Sequence, residues 1–103
     1  MAMILSVQPM PNPKLLKIGD KIRLLCVPER DLAVRERELR DGDENPGWTA
    51  NTIERVIAQD PIVTIWLIDE YGRPWFECFP IGENGIKESH SICISDDASW
   101  EFA

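Results

Sequence analysis

Pro61-Ile-Val-Thr-Ile-Trp-Leu-Ile68, Arg73-Pro-Trp-Phe-Glu-Cys-Phe79 and His90-Ser-Ile-Cys-Ile94 are the runs whose reading decides the fold. Each is short, apolar and rich in β-branched and aromatic residues. Gly72 punctuates the first gap between them, and Gly82 with Asn84-Gly85 punctuates the second. Strand-like runs separated by such turn chemistry predict an antiparallel meander. Its register depends on the second connection. A two-residue turn at Asn84-Gly85 sets Cys78 opposite Ser91 and Phe76 opposite Cys93. A three-residue loop at Asn84-Gly-Ile86 sets Cys78 opposite Ile92 and Phe76 opposite Ile94. The second register places apolar residues opposite apolar ones and is preferred.

Upstream, Lys17 to Val27 reads as another strand. Ile18, Ile22, Leu24 and Cys26 alternate with Lys21, Arg23 and Leu25 after a Gly19-Asp20 turn, the pattern of a half-buried strand. Pro28 closes it. Glu29 to Arg40 consists largely of good helix formers, with a thin apolar stripe through Leu32, Glu36 and Leu39 and a Glu36–Arg40 pair at four-residue spacing. Asp41 to Gly47 ends that helix with loop residues. A second helix is expected from about Thr52 to Gln59. Asn51 would be its N-cap, Glu54 would complete a capping box, and Ile53, Val56 and Ile57 would face a core with Trp48 packed alongside. Asp60-Pro61 stops it. Downstream, Asp96 to Trp100 reads as one helical turn and Glu101-Phe102 as a short closing strand. Prolines at 9, 11 and 13 make residues 1–13 an extended or disordered lead-in. Residues 14–103 are then one domain, with a helical insertion over about 28–60.

At 103 residues the chain has room for one core and little more. No apolar run approaches the roughly 20 residues that span a bilayer, so no membrane partner is expected. Met1 to Val7 has no basic flank and too short an apolar run for a signal peptide, which makes the cytoplasm the expected compartment. Cys26, Cys78 and Cys93 are odd in number, widely spaced and set in apolar runs. Buried reduced thiols, rather than a disulfide framework, follow from that pattern. The net charge of −7 is unevenly distributed: residues 1–59 hold nine acids and nine bases, whereas residues 60–103 hold nine acids against Arg73 and Lys87 alone. An acidic half repels phosphate backbones and attracts basic partners.

Gly19-Asp-Lys-Ile-Arg-Leu24, the hairpin Val63 to Phe76 and Asp97-Ala-Ser-Trp100 together resemble an SH3-like small β-barrel of the SH3, KOW and Tudor kind. The resemblance covers about half the chain. It implies a mainly β fold: a partly open barrel of about five antiparallel strands, with a two-helix insertion between the first and second. The opening tyrosine pair and closing proline-asparagine-tyrosine element of signalling SH3 domains are absent, so proline-peptide binding is not implied. Trp75 matches the position of the ligand-stacking tryptophan.

The candidate site follows from the aromatic content of the hairpin. In Pro61 to Ile68 both alternating faces are apolar, with Val63, Ile65 and Leu67 on one and Ile62, Trp66 and Ile68 on the other. One face is expected to meet the core and the other the helical insertion or a partner. Trp66, Tyr71 and Trp75 form an expected apolar anchor, and Asp69, Glu70 and Glu77 an acidic rim that steers a basic partner. His90 and Cys93 differ by three positions and so point to opposite strand faces, which argues against a Cys–His catalytic pair and against metal binding with Cys78. No phosphate loop or nucleophile elbow is present. Arg30, Arg35, Arg37 and Arg40 are interleaved with acids, which disfavours nucleic acid. A non-enzymatic protein-interaction module without cofactor or metal is the expectation. The alternatives are a small acidic inhibitor or immunity-type protein masking a basic partner, a nucleic-acid-associated KOW- or Tudor-like module, and a homodimer formed through the Trp66 face.

Overall fold

A computed structural model describes residues 10–103. The chain forms β1 (Lys21–Leu24), α1 (Glu29–Asp41), α2 (Trp48–Gln59), β2 (Ile62–Ile68), β3 (Pro74–Cys78), β4 (His90–Cys93) and β5 (Trp100–Phe102), preceded by a 3-10 turn at Pro13–Leu15. The five strands make one antiparallel sheet in the order β4-β3-β2-β1-β5. β4 and β5 are its two edges and do not pair, so the sheet is open rather than closed into a barrel. Both helices lie between β1 and β2 in the chain. Among the described residues, no helix is long and apolar enough to cross a membrane. Of the expected lead-in, residues 1–9 lie outside the described residues, and Pro13 already belongs to the 3-10 turn.

Local chemistry sets the strand ends. Lys17 N donates to Asp20 Oδ2, and Asp20 N to the Lys17 carbonyl. That closed turn removes residues 17–20 from β1, so the strand begins four residues later than the alternation suggested. Ile22 and Leu24 are buried, while Ile18 and Cys26 are exposed. The expectation of three buried thiols is corrected accordingly: Cys78 is buried, Cys93 half-buried and Cys26 exposed.

β2 carries a bulge. Ile65 opposes Phe76 and Leu67 opposes Trp75, which leaves Trp66 without a partner on β3. The extra residue shifts the side-chain phase by one. Val63 and Ile65 point into the core before it, and Ile68, opposite buried Pro74, packs against the core after it. Leu67 therefore shares a face with Trp75 rather than with Val63 and Ile65. The expected grouping of Val63, Ile65 and Leu67 breaks at the bulge.

The β3–β4 register differs from both expectations. Phe76 opposes Ile92 and Cys78 opposes His90, with the same ladder continued by an isolated Ile81–Lys87 bridge. Gly85 N donates to the Gly82 carbonyl and Gly82 N to the Ile86 carbonyl, a tight turn followed by a bulge at Gly85, whose φ is 78°. The register is shifted by two residues from the preferred one, and a shift of two keeps every side chain on its face. Phe76 and Cys78 accordingly stay inward.

The core gathers Leu16, Ile22, Leu24, Val27, Val63, Ile65, Phe76, Cys78, Ile94 and Trp100 with Ala50, Ile53 and Val56 of α2. α2 thus packs on the inner sheet face, the one that carries Val63 and Ile65. Trp100 is 1% exposed, and its Nε1 donates to the Ser95 carbonyl over 2.8 Å. The expected helical turn at Asp96–Trp100 is replaced by a bend. Burial opposes charge on Asp97, but donation from Ser99 and Ser95 holds its carboxyl below the usual range and shapes the chain into β5.

α2 begins four residues before its expected start, with Gly47 in the left-handed conformation as its N-cap. A Cβ on Gly47 would run into the Arg35 side chain, which lies across it. The capping box does not form, because Arg35 of α1 claims both of its members. Arg35 Nη1 donates to Asn51 Oδ1, and the guanidinium makes a bidentate pair with Glu54. α1 buries no residue, and its Leu32–Leu39 stripe is exposed. The Glu36–Arg40 pair is not among the ion pairs of the described residues.

Candidate interaction surface

The outer face of the sheet is built from the residues that the core leaves over. The register places Lys21, Thr64, Glu77 and Ser91 in one row, and Leu67, Trp75 and Cys93 in the next. Trp66 projects beside them from the bulge, 44% exposed, with its Nε1 donating to Ser91 Oγ over 2.8 Å. That bond holds the indole against the sheet. A large aromatic ring so held is pre-organised for contact, because little rotamer freedom remains to be lost.

Trp75 is half-buried in the same face, and its Nε1 donates to Asp69 Oδ2 over 2.9 Å. Asp69 also accepts from Tyr71 N, Arg73 N and Arg73 Nε. With Trp75 the strongest influence and the Arg73 and Tyr71 donors adding to it, the carboxyl is held well below the usual carboxylate range. Four donors occupy Asp69, so it organises the β2–β3 turn and retains no free lone pair to offer a partner. Tyr71, 74% exposed, lies at the tip of that turn with the Arg73 guanidinium 5.1 Å from its ring centre. Glu70 is exposed beside it, and Glu77 is half-buried on the outer face. Of the six expected site residues, Trp66, Trp75 and Glu77 share the outer face. Asp69, Glu70 and Tyr71 belong to the turn at its end.

β4 separates the chemistry of its own residues. Cys78 and His90 are paired on the inner face, and Cys93 is paired with Trp75 on the outer. Burial pushes the Cys78 thiol up to about 11 and raises Cys93 as well, which keeps both protonated at neutral pH. Among the described residues, no three His, Cys, Asp or Glu side chains converge as metal ligands would.

A second constellation was not anticipated from the sequence. His90 Nε2 lies 3.0 Å from Glu88 Oε1, the same oxygen that accepts from Arg55 Nη2 over 2.6 Å. The His90 ring also meets Trp48 edge-on, with centroids 5.6 Å apart. The His90 and Arg55 bonds hold the Glu88 carboxyl below its ordinary range. The signal for this cluster was the spacing Trp48, Asn51, Arg55, one helical face, but it becomes visible only once α2 is extended back to Trp48. Comparison with protein-family models, with curated proteins and with solved structures finds no match to this chain, so its site chemistry carries the functional argument unaided.

Proposed function

We propose that the chain is a non-enzymatic interaction module whose outer sheet face docks a basic protein partner. The observation that carries this reading is Trp66: a large indole stands on the outer face at the bulge, and a hydrogen bond to Ser91 fixes it there. Leu67 and Trp75 extend the apolar surface, with Glu70 and Glu77 as its acidic margin. The excess of acids in residues 60–103 supports a partner of opposite charge. Strand order β4-β3-β2-β1-β5, with helices inserted after β1, supports an SH3-like relation in which the barrel stays open between its edge strands. Three cysteines without a disulfide are in keeping with a reducing compartment.

The test is capture of binding proteins by the wild type and by Trp66→Ala, with circular dichroism as the fold control. A partner whose affinity falls about tenfold or more in Trp66→Ala, with the fold intact, is the expected result. Equal capture by both proteins overturns the reading. The charge asymmetry also favours a second reading, a small acidic inhibitor that masks a basic site. Trp66→Ala separates the two, because aromatic docking depends on that ring, whereas an inhibitor that masks by surface charge keeps its affinity without it and associates more slowly as ionic strength rises.

A further inference from the structure

β4 is an edge of the sheet, and the bonds at its two ends set the phase of the strand. Ile94 N donates to the Pro74 carbonyl and Glu88 N to the Pro80 carbonyl. Backbone direction alternates along an antiparallel strand, so His90 and Ile92 also turn their N–H and C=O groups toward β3. Ser89, Ser91 and Cys93 therefore turn theirs out of the sheet.

Edge strands are normally guarded by charge, proline or brevity. β5 is guarded, being three residues long with Glu101 at its centre. β4 is not. Ser89-His-Ser-Ile-Cys-Ile-Ser95 contains no Asp, Glu, Lys, Arg, Pro or Gly, in a chain of net charge −7. Two copies of so acidic a chain meet with least repulsion along a strip where neither carries a charged side chain. The flanks complement each other as well. Lys87 precedes the run and Asp96 follows it, and neither has an ion-pair partner among the described residues. Glu88, by contrast, is engaged by Arg55 and His90. Antiparallel pairing with a like strand brings Lys87 of each copy toward Asp96 of the other.

We infer that β4 pairs antiparallel with β4 of a second copy about a two-fold axis at Ser91, joining the two sheets into one. With Ser91 opposite its own counterpart and Ser89 opposite Cys93, every outward backbone group from Ser89 to Cys93 is met. The neighbouring register, with Ser91 opposite Cys93, sets Ser89 against Ser95, whose carbonyl already accepts from Trp100 Nε1. Ile92 is half-buried against the core, and the two-fold sets it opposite His90 of the second copy, which covers more of its surface. The inference does not rest on the outer-face reading, because it uses the edge of the sheet and not the Trp66 surface.

The test is sedimentation equilibrium of the whole chain from micromolar to millimolar concentration, with amide hydrogen exchange measured at both ends of that range. The mass is expected to rise from 11.8 kDa toward twice that value. Over the same range the Ser89, Ser91 and Cys93 amides should gain about tenfold or more in protection. Ser89→Pro removes one outward N–H from each copy at an exposed position outside β4, and should weaken dimerisation about tenfold. Ser91→Lys sets two like charges against each other at the axis and should also weaken it. Circular dichroism shows whether each variant remains folded. A monomer throughout, a dimer whose three outward amides stay unprotected, or dimerisation indifferent to both substitutions would overturn the inference. The second of those outcomes assigns the dimer to another surface, and all three leave the outer-face reading standing.

Discussion

α1 and α2 are near equals in length, thirteen and twelve residues, and adjacent in the chain, yet they hold opposite places in the molecule. α2 buries Ala50, Thr52, Ile53 and Val56, whereas α1 buries nothing. The difference lies in the width of the apolar face. Ile53, Val56 and Ile57 give α2 a contiguous patch that reaches the sheet. The leucines of α1 are separated by charged residues, and its hold on the rest is polar: the bidentate Arg35–Glu54 pair, the Arg35–Asn51 bond and the Glu38 carboxylate that accepts from Gly47 N. One helix is part of the core, and the other is attached to it by an exposed polar clasp. Polar attachment of this sort is weak and reversible, so α1 belongs to the low-stability end of the fold.

The most forceful way to break that contrast is Ile53→Ala. It removes a 3%-exposed side chain from the middle of the core and should lower the unfolding free energy by about 2–5 kcal/mol in urea titration. A loss under about 1 kcal/mol would put α2 in the same class as α1. A smaller and more local effect follows from the clasp. The Arg35 bonds hold the Glu54 carboxyl below its ordinary value. The attachment is therefore fully present above the unfolded-state value of about 4.3, and is lost as the pH falls through the depressed folded-state value. Hydrogen exchange, corrected for intrinsic rates, should show α1 amides losing protection on acidification before α2 amides do. Glu54→Gln should make α1 weakly protected at every pH. Simultaneous loss of protection in both helices would mean that the clasp does not control α1. Least of all is expected from Leu39→Ala. That side chain is 62% exposed, and a change of more than about 0.5 kcal/mol would reveal a contact of α1 that is not visible in the fold.

How legible this was in the sequence varies with the range of the interaction involved. The strands of the meander and the end of α2 at Asp60-Pro61 were readable because local pattern and turn residues set them. The start of α2 was not. Asn51 and Glu54 present a sound capping box on their own, but Arg35, sixteen and nineteen residues away, binds both and turns them into helix interior. The bulge at Trp66 was equally hidden, since a run apolar on both faces gives no alternation from which a phase shift could be read. In the β3–β4 connection, turn chemistry suggested the tip but not the ladder below it, where Ile81–Lys87 already sets the register. For the site, exposed Trp66 and half-buried Trp75 were named from composition. That Asp69 is consumed by its own turn depends on four donors that only the folded chain brings together.

The bulge also has a consequence for chain length. Substitution at position 66 trims a half-exposed ring and leaves the pairing on either side untouched. Deletion would let Ile65–Phe76, Leu67–Trp75 and Ile68–Pro74 follow one another as a regular ladder, with Leu67 still outward, Ile68 still inward and only the projecting indole lost. A strand of this kind tolerates at position 66 a change of count as well as of letter, because the ladder on either side is complete without the extra residue.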